Sequence, residues 1–239
     1  MNSNLGFIFN DSIIDSLVDD RNSLLAFFHA QRTGGSNFKS MLRSAYGDAS
    51  VYSQQTVAEY AHWKLLSEAD LAGYKVFAGH SDYVKKTEFS RRIGLFSILR
   101  DPLYRAASLH AYCRSKEGHA LQSLALSNNM LSFYREGVKL KPSYFSNVQC
   151  KRICGVADAD LAIAHIDSYY AAVGFTERLQ EFTRFLIERF GWGCEALSES
   201  TPDALRYRGM ICDDFKEIVY LSNVEDVKLF DLVSRRISN

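Results

Sequence analysis

The sequence predicts an α/β fold, a three-layer parallel sheet flanked by helices. Two observations carry that expectation. Apolar runs of strand length recur along the chain, beginning at Leu24, Tyr74, Ile93 and Ala172, and turn or charged residues break each one off. Between them lie longer stretches with apolar residues at helical spacing. Strands separated by helices favour parallel pairing with helices on both faces. A chain of 239 residues can bury a sizeable core, and one domain over residues 1–239 is the simplest arrangement.

In chain order, Ile13, Ile14, Leu17 and Val18 mark a short packing helix within residues 11–23. The run from Leu24 is the first buried strand, and Phe38, Met41, Leu42 and Ala45 define the helix behind it. Val51 to Thr56 suits a second strand and Thr56 to Leu66 a helix carrying Tyr60 and Trp63. Tyr74–His80 and Ile93–Leu99 read as strands. Helices are expected over Leu103–Cys113, Leu121–Arg135 and Asp158–Tyr170, then a last parallel strand over Ala172–Phe175. Glu177–Phe190 is a strongly amphipathic helix that Gly191 stops. Asp214–Leu221 and Val224–Ile237 close the chain as helices.

Composition excludes several classes. Hydrophobic residues at 47% and charged residues at 23% are those of a globular protein rather than a disordered one. Twenty-eight basic and 28 acidic residues cancel, so no general polyanion surface and no nucleic-acid partner are expected. The five cysteines, Cys113, Cys150, Cys154, Cys194 and Cys212, have no framework spacing and suggest reduced thiols. Cys150 and Cys154 lack a second ligand pair, so no zinc site is expected. Residues 1–9 carry no signal-peptide pattern, and no apolar run is long enough to span a membrane. A cytoplasmic protein without an integral membrane segment is the expectation. Asn10-Asp11-Ser12 is a glycosylation triplet of the kind that arises by chance.

The chemistry centres on Arg32-Thr33-Gly34-Gly35-Ser36-Asn37. A strand, a glycine turn and a helix start present free N–H groups and the positive end of a helix to an anion. Adjacent glycines permit close backbone approach. Arg32 adds a fixed cation, and Thr33 and Ser36 add hydroxyl donors. The Gly-x4-Gly-Lys-[Ser/Thr] pattern of ATP-binding loops is absent.

A second constellation, Arg100-Asp101-Pro102 to Ser108, follows a buried strand, where α/β proteins bind ligands. Asp101 suits a helix cap and Pro102 the first helical position. Arg100 at the strand end and Ser108 on the helix could share an anion, although Arg100 pairing with Asp101 is the simpler structural reading. His80 ends another strand on the same edge. A histidine there can accept a proton from a hydroxyl. His29 also ends a strand, where its ring would brace the turn. His62, His110, His119 and His165 show no partner pattern.

Together these residues resemble the PAPS-dependent sulfotransferases, especially the carbohydrate branch with the heparan sulfate and uronyl 2-O-sulfotransferases. The family's His-x-Pro-Lys-Thr-Gly-Gly-Thr-Ser-like loop stands here as His29-Ala30-Gln31-Arg32-Thr33-Gly34-Gly35-Ser36-Asn37. Its Arg-Asp-Pro-x-x-Arg-x-x-Ser motif is met by Arg100 to Ser108. Phe77-Ala78-Gly79-His80, Asn147-x-Gln149, Val173-Gly174-Phe175-Thr176-Glu177-Arg178 and Asn223-x-x-Asp226 are similar to further family stretches. The family's Pro-Lys is Gln31-Arg32 here, and arginine keeps the charge but does not readily give up a proton.

The resemblance implies a P-loop-like sulfotransferase fold and a compact, bacterial-type enzyme. It implies PAPS (3′-phosphoadenosine 5′-phosphosulfate) as donor, PAP as product and no metal. Arg32, Thr33, Gly34, Gly35, Ser36 and Asn37 would hold the 5′-phosphosulfate. Arg100 and Ser108 would hold the 3′-phosphate. His80 would be the catalytic base, and Arg32 would neutralise charge on the leaving oxygen. The acceptor would be a hydroxyl compound, a glycan above all, with Lys116, Arg135, Lys139, Lys141, Lys151 and Arg152 either attracting an acidic sugar or lying as solvated charges. Tyr134, Tyr144 and Phe145 would stack on sugar rings or fill the core. Other readings stay open: transfer to a lipid, a tyrosine or a small alcohol, a non-catalytic PAP- or nucleotide-binding module, or a P-loop kinase, which the missing lysine disfavours.

Overall fold

The computed structural model describes residues 6–20, 22–53, 67–80, 90–198 and 202–238. The helix expected over 56–66 and the end of the second strand, residues 54–56, lie outside the described residues.

Among the described residues, six strands form one sheet: β1 (Ile8–Phe9), β2 (Leu24–Phe28), β3 (Val51–Ser53), β4 (Val76–Gly79), β5 (Ile93–Leu99) and β6 (Tyr170–Phe175). Their order is β1-β6-β5-β2-β4-β3. Every neighbouring pair is parallel except β1 with β6. β2 and β5 are buried along their whole length, which is why their sequences are apolar runs, broken in β5 by Ser97 alone, rather than alternating ones.

The two sheet faces carry separate cores. Leu24, Ala26 and Phe28 pack on one side with residues of α7 (Val148–Cys154), α8 (Ala159–Tyr169) and α12 (Val224–Ser238). Leu25 and Phe27 pack on the other with α1 (Asp11–Asp19), α2 (Gly35–Tyr46) and α9 (Leu179–Phe190). This is the expected three-layer arrangement. Phe182 and Leu186 of α9 are fully buried, and each such burial stabilises by about 1.5–3 kcal/mol. A third apolar cluster joins α3 (Pro102–Ser115), α4 (Gln122–Ser127), α5 (Met130–Leu140), α6 (Pro142–Phe145) and α11 (Asp213–Ser222), which the four-residue α10 (Asp203–Arg206) precedes.

Two differences from the sequence expectation have physical causes. The single helix expected over Leu121–Arg135 is two helices, α4 and α5. Asn128 is extended, and the Asn129 side chain accepts from the Ser132 N–H to cap α5, so a local cap outcompetes helix continuation. The N-terminal strand β1 was not expected. It is two residues long and exists because Ile8 and Phe9 pair with Val173 and Ala172 across the sheet edge. Among the described residues, no helix is long and apolar enough to cross a membrane.

Candidate functional site

The parallel strands deliver their C-terminal ends to one edge. In the register of β2 and β4, Phe28 faces Gly79, so His29 and His80 emerge side by side. Their rings lie 4.3 Å apart. In the register of β5 and β6, Leu99 faces Phe175, so Arg100 emerges beside Thr176. The residues after these strands line a cleft of about 810 Å³. That is within the usual range of ligand pockets, roughly 300–1,000 Å³.

The β2–α2 turn forms the floor. Gly34 adopts the left-handed conformation at φ +86°, and α2 has no side-chain cap on its first amides. Those N–H groups and the exposed Ser36 and Asn37 border the cleft. The next position must be glycine for a different reason. A Cβ at Gly35 would lie 1.7 Å from His29 Nε2. The His29 ring, stacked on Phe27 at 4.4 Å, therefore presses against the helix start and fixes it, as its bracing role required. Burial, then the nearby His80, hold the His29 pKa well below the ordinary histidine value.

Arg32 has φ +71°, a conformation unfavourable for a long side chain. Its surroundings hold it there. The Arg32 carbonyl accepts from Arg100 Nη1 at 2.7 Å, its Nε–H donates to Ser108 Oγ at 3.1 Å, and its guanidinium lies 4.4 Å over the Tyr112 ring. Burial, with like-charged Arg100 nearby, lowers its pKa from the usual value. The loop and the Arg100–Ser108 segment are thus in direct contact.

His80 Nδ1 lies 3.1 Å from the His29 carbonyl. A carbonyl only accepts, so Nδ1 carries the proton and Nε2 is the basic nitrogen. Burial pushes the His80 pKa down to about 4, so its ring is neutral at pH 7.

Two expected residues behave differently from the simple reading. The Thr33 hydroxyl is buried and donates to the Ala30 carbonyl at 2.9 Å, so it shapes the turn instead of facing the cleft. Arg100 does not pair with Asp101, which caps α3 through the Leu103 N–H. Its Nε and Nη2 instead grip both oxygens of Asp203 at 2.7 and 2.5 Å. That ion pair is almost wholly buried, with side chains 4% and 7% exposed.

Of the six expected basic residues near the acceptor, Lys141 lines the cleft. Lys116 and Arg135 are exposed on the surface, Lys139 pairs with Glu136 and Lys151 donates to the Ser146 carbonyl. Arg152, after burial, adds a smaller push to the lowered pKa of both strand-end histidines. Tyr134 and Phe145 are core residues, while Tyr144 borders the cleft with Tyr112 and His119. His119 had no motif to reveal it, and neither did Asp203 nor Arg206, which also line the cleft.

Behind the cleft lies a buried polar scaffold. Gln149 accepts from the Arg100 N–H at 2.9 Å and donates to the Arg100 carbonyl at 2.8 Å. Asp226 accepts from the N–H groups of Gln149 and Cys150. Asn147 accepts from the N–H groups of Glu225 and Asp226, and Asn223 accepts from the Asn147 N–H. The two segments noted in the sequence around residues 147–149 and 223–226 are therefore one interlocked unit that grips the Arg100 main chain. Arg105 serves this interior as well: it is fully buried and donates to the Phe145 carbonyl.

No protein-family model matches the chain, and no curated protein matches it. Among solved structures it is similar to a mouse sulfotransferase, SULT7A1, complexed with PAP. That likeness has 13% identity, covers 97% of this chain and 91% of the other, and has a TM-score of 0.48. Residue roles in this chain are accordingly read from its own geometry.

Proposed function

We propose that the protein is a PAPS-dependent sulfotransferase, acting as one domain and moving a sulfuryl group to a hydroxyl of a carbohydrate. The observation that carries this reading is the single cleft shared by the uncapped start of α2, Arg32, Ser108 and the neutral base His80. The residues fit a nucleotide with two anionic ends. The left-handed Gly34 and the side-chain-free Gly35 leave the α2 amides open to a 5′-phosphosulfate. Ser108 and Arg100 stand beside that loop for a 3′-phosphate, although Arg100 is paired with Asp203 as it stands.

When bound, PAPS supplies the sulfuryl group: the acceptor oxygen bonds to sulfur as the bond from sulfur to the 5′-phosphate oxygen breaks, its electron pair leaving on PAP. His80 Nε2 takes the acceptor's hydroxyl proton. Arg32 and the amides of Gly34, Gly35, Ser36 and Asn37 stabilise negative charge on the departing oxygen and the phosphate. Arg32 acts by fixed charge, since a guanidinium does not give up its proton. Tyr112, Tyr144, His119 and Lys141 at the cleft offer ring faces and a cation suited to an acidic sugar, which supports a glycan acceptor over a lipid or small alcohol.

The test has two parts. PAP, and not ATP, should raise the melting temperature, and radiolabelled sulfate from PAPS should pass to a member of a glycan panel. No stabilisation by PAP sinks the nucleotide assignment. Stabilisation without transfer to glycans, phenols or alcohols leaves a binding module instead.

A further inference from the structure

We propose that Asp203 is an internal competitor for the nucleotide's 3′-phosphate and thereby sets how tightly PAPS and PAP are held. This rests on the reading of the cleft as a PAPS site. Three observations carry it. First, the Asp203 carboxylate occupies the Nε–Nη2 fork of Arg100 with both oxygens, at 2.7 and 2.5 Å. Two phosphate oxygens would use that same planar fork. Second, the third arm is also engaged, with Nη1 on the Arg32 carbonyl at 2.7 Å. Arg100 is 4% exposed in this state, so a phosphate reaches the fork by replacing the carboxylate. Third, Asp203 opens a four-residue helix, Asp203–Arg206, directly after Pro202. It belongs to no strand or long helix, and Arg206 of the same turn lines the cleft.

The charges define the consequence. Paired with Asp203, Arg100 presents a neutral unit to an incoming anion. Displacing the carboxylate exchanges one anion for another on the guanidinium. The carboxylate stays tethered beside it at high effective concentration and re-forms the pair when the nucleotide leaves. Asp203 thus weakens product binding as much as donor binding, and favours PAP release after each transfer.

The test compares PAP with 5′-AMP, which lacks the 3′-phosphate, by calorimetry on the full chain and on Asp203→Asn. The amide keeps one oxygen acceptor for Arg100 and removes the charge. The expected result is PAP bound about tenfold tighter by the variant, with AMP affinity unchanged. PAP affinity unchanged or weakened marks Asp203 as a brace for Arg100 and overturns the proposal. An equal gain for PAP and AMP also overturns it, because the effect then lies away from the 3′-phosphate. If the native chain binds AMP and PAP equally, or neither at millimolar concentration, the sulfotransferase reading itself has failed. Should Asp203→Asn not fold, a crystal structure of the native chain with PAP decides: an open Arg100–Asp203 fork supports displacement, and an intact fork with PAP bound refutes it.

Discussion

The Nδ1–H of His80 donates to the His29 carbonyl at 3.1 Å, and that contact decides which nitrogen of His80 is basic. His80→Ala should therefore lower transfer by about 10²–10⁴-fold. PAP binding, read by calorimetry, should persist, because the loop that holds phosphate is built by other residues. Turnover equal to that of the native chain would remove His80 from the chemistry.

Acidity should expose both histidines through stability. Burial holds the folded-state pKa of His80 near 4 and that of His29 well below the ordinary value. Between about pH 6.5 and 4 the unfolded chain binds protons that the folded chain does not. The two histidines thus add stability as pH rises across that window, against the opposite slope of Glu177, whose carboxyl pKa is raised by burial to about 7, and His80→Ala should remove part of the histidine contribution. Urea midpoints of the native chain and of His80→Ala from pH 4 to 7 measure it, and a difference between the two that stays constant with pH contradicts a neutral His80.

Arg32 contributes charge, a bond and a stacked plane together. Arg32→Lys retains the charge but loses the Nε–H bond to Ser108 and the flat contact with Tyr112. A fall in kcat of about tenfold is expected for Lys, and of about 10²–10³-fold for Ala. Equal rates for the two variants would show that the charge plays no part.

Gly35→Ala places a methyl against the His29 ring, 1.7 Å from Nε2. The expected cost is at least about 1–3 kcal/mol of stability. His29→Ala should recover much of that loss in the double variant, since it removes the clashing ring. Additive losses would mean that the glycine is required for some other reason.

Gln149 holds Arg100 by both main-chain groups. Gln149→Leu strands a buried donor and a buried acceptor, each at about 1–3 kcal/mol. Melting temperature and PAP affinity should fall together, while affinity for 5′-AMP falls less. An unchanged PAP affinity in a folded variant would separate the scaffold from the site.

Much of this was legible before folding. β5 was readable to the residue, because a strand buried along its whole length carries a nearly unbroken apolar run, here with Ser97 as its one polar residue. The Asp101-Pro102 helix start was readable, because cap chemistry is local. The glycine turn announced itself for the same reason. Asp203 was not legible: it meets Arg100 across 103 residues of sequence, and no periodicity encodes a lone acid in a short turn. The place of Arg105 was hidden for a related reason. This motif position faces the interior, and only packing decides which side of α3 that is. Asn147 and Asn223 resembled family signatures, yet their purpose, capping each other's segments, emerged only once the two segments met.

The pairing of β1 with β6 sets a clock on biogenesis. Ile8 waits for Val173, 165 positions later (173 − 8). At ribosomal speeds of about 5–20 residues per second, that delay is on the order of ten to thirty seconds. Throughout it Phe7, Ile8 and Phe9 are synthesised but have no sheet edge to join. The nascent chain thus carries an apolar segment, Phe7–Phe9, whose burial has to wait for the strand that β1 pairs with and the helix it packs on.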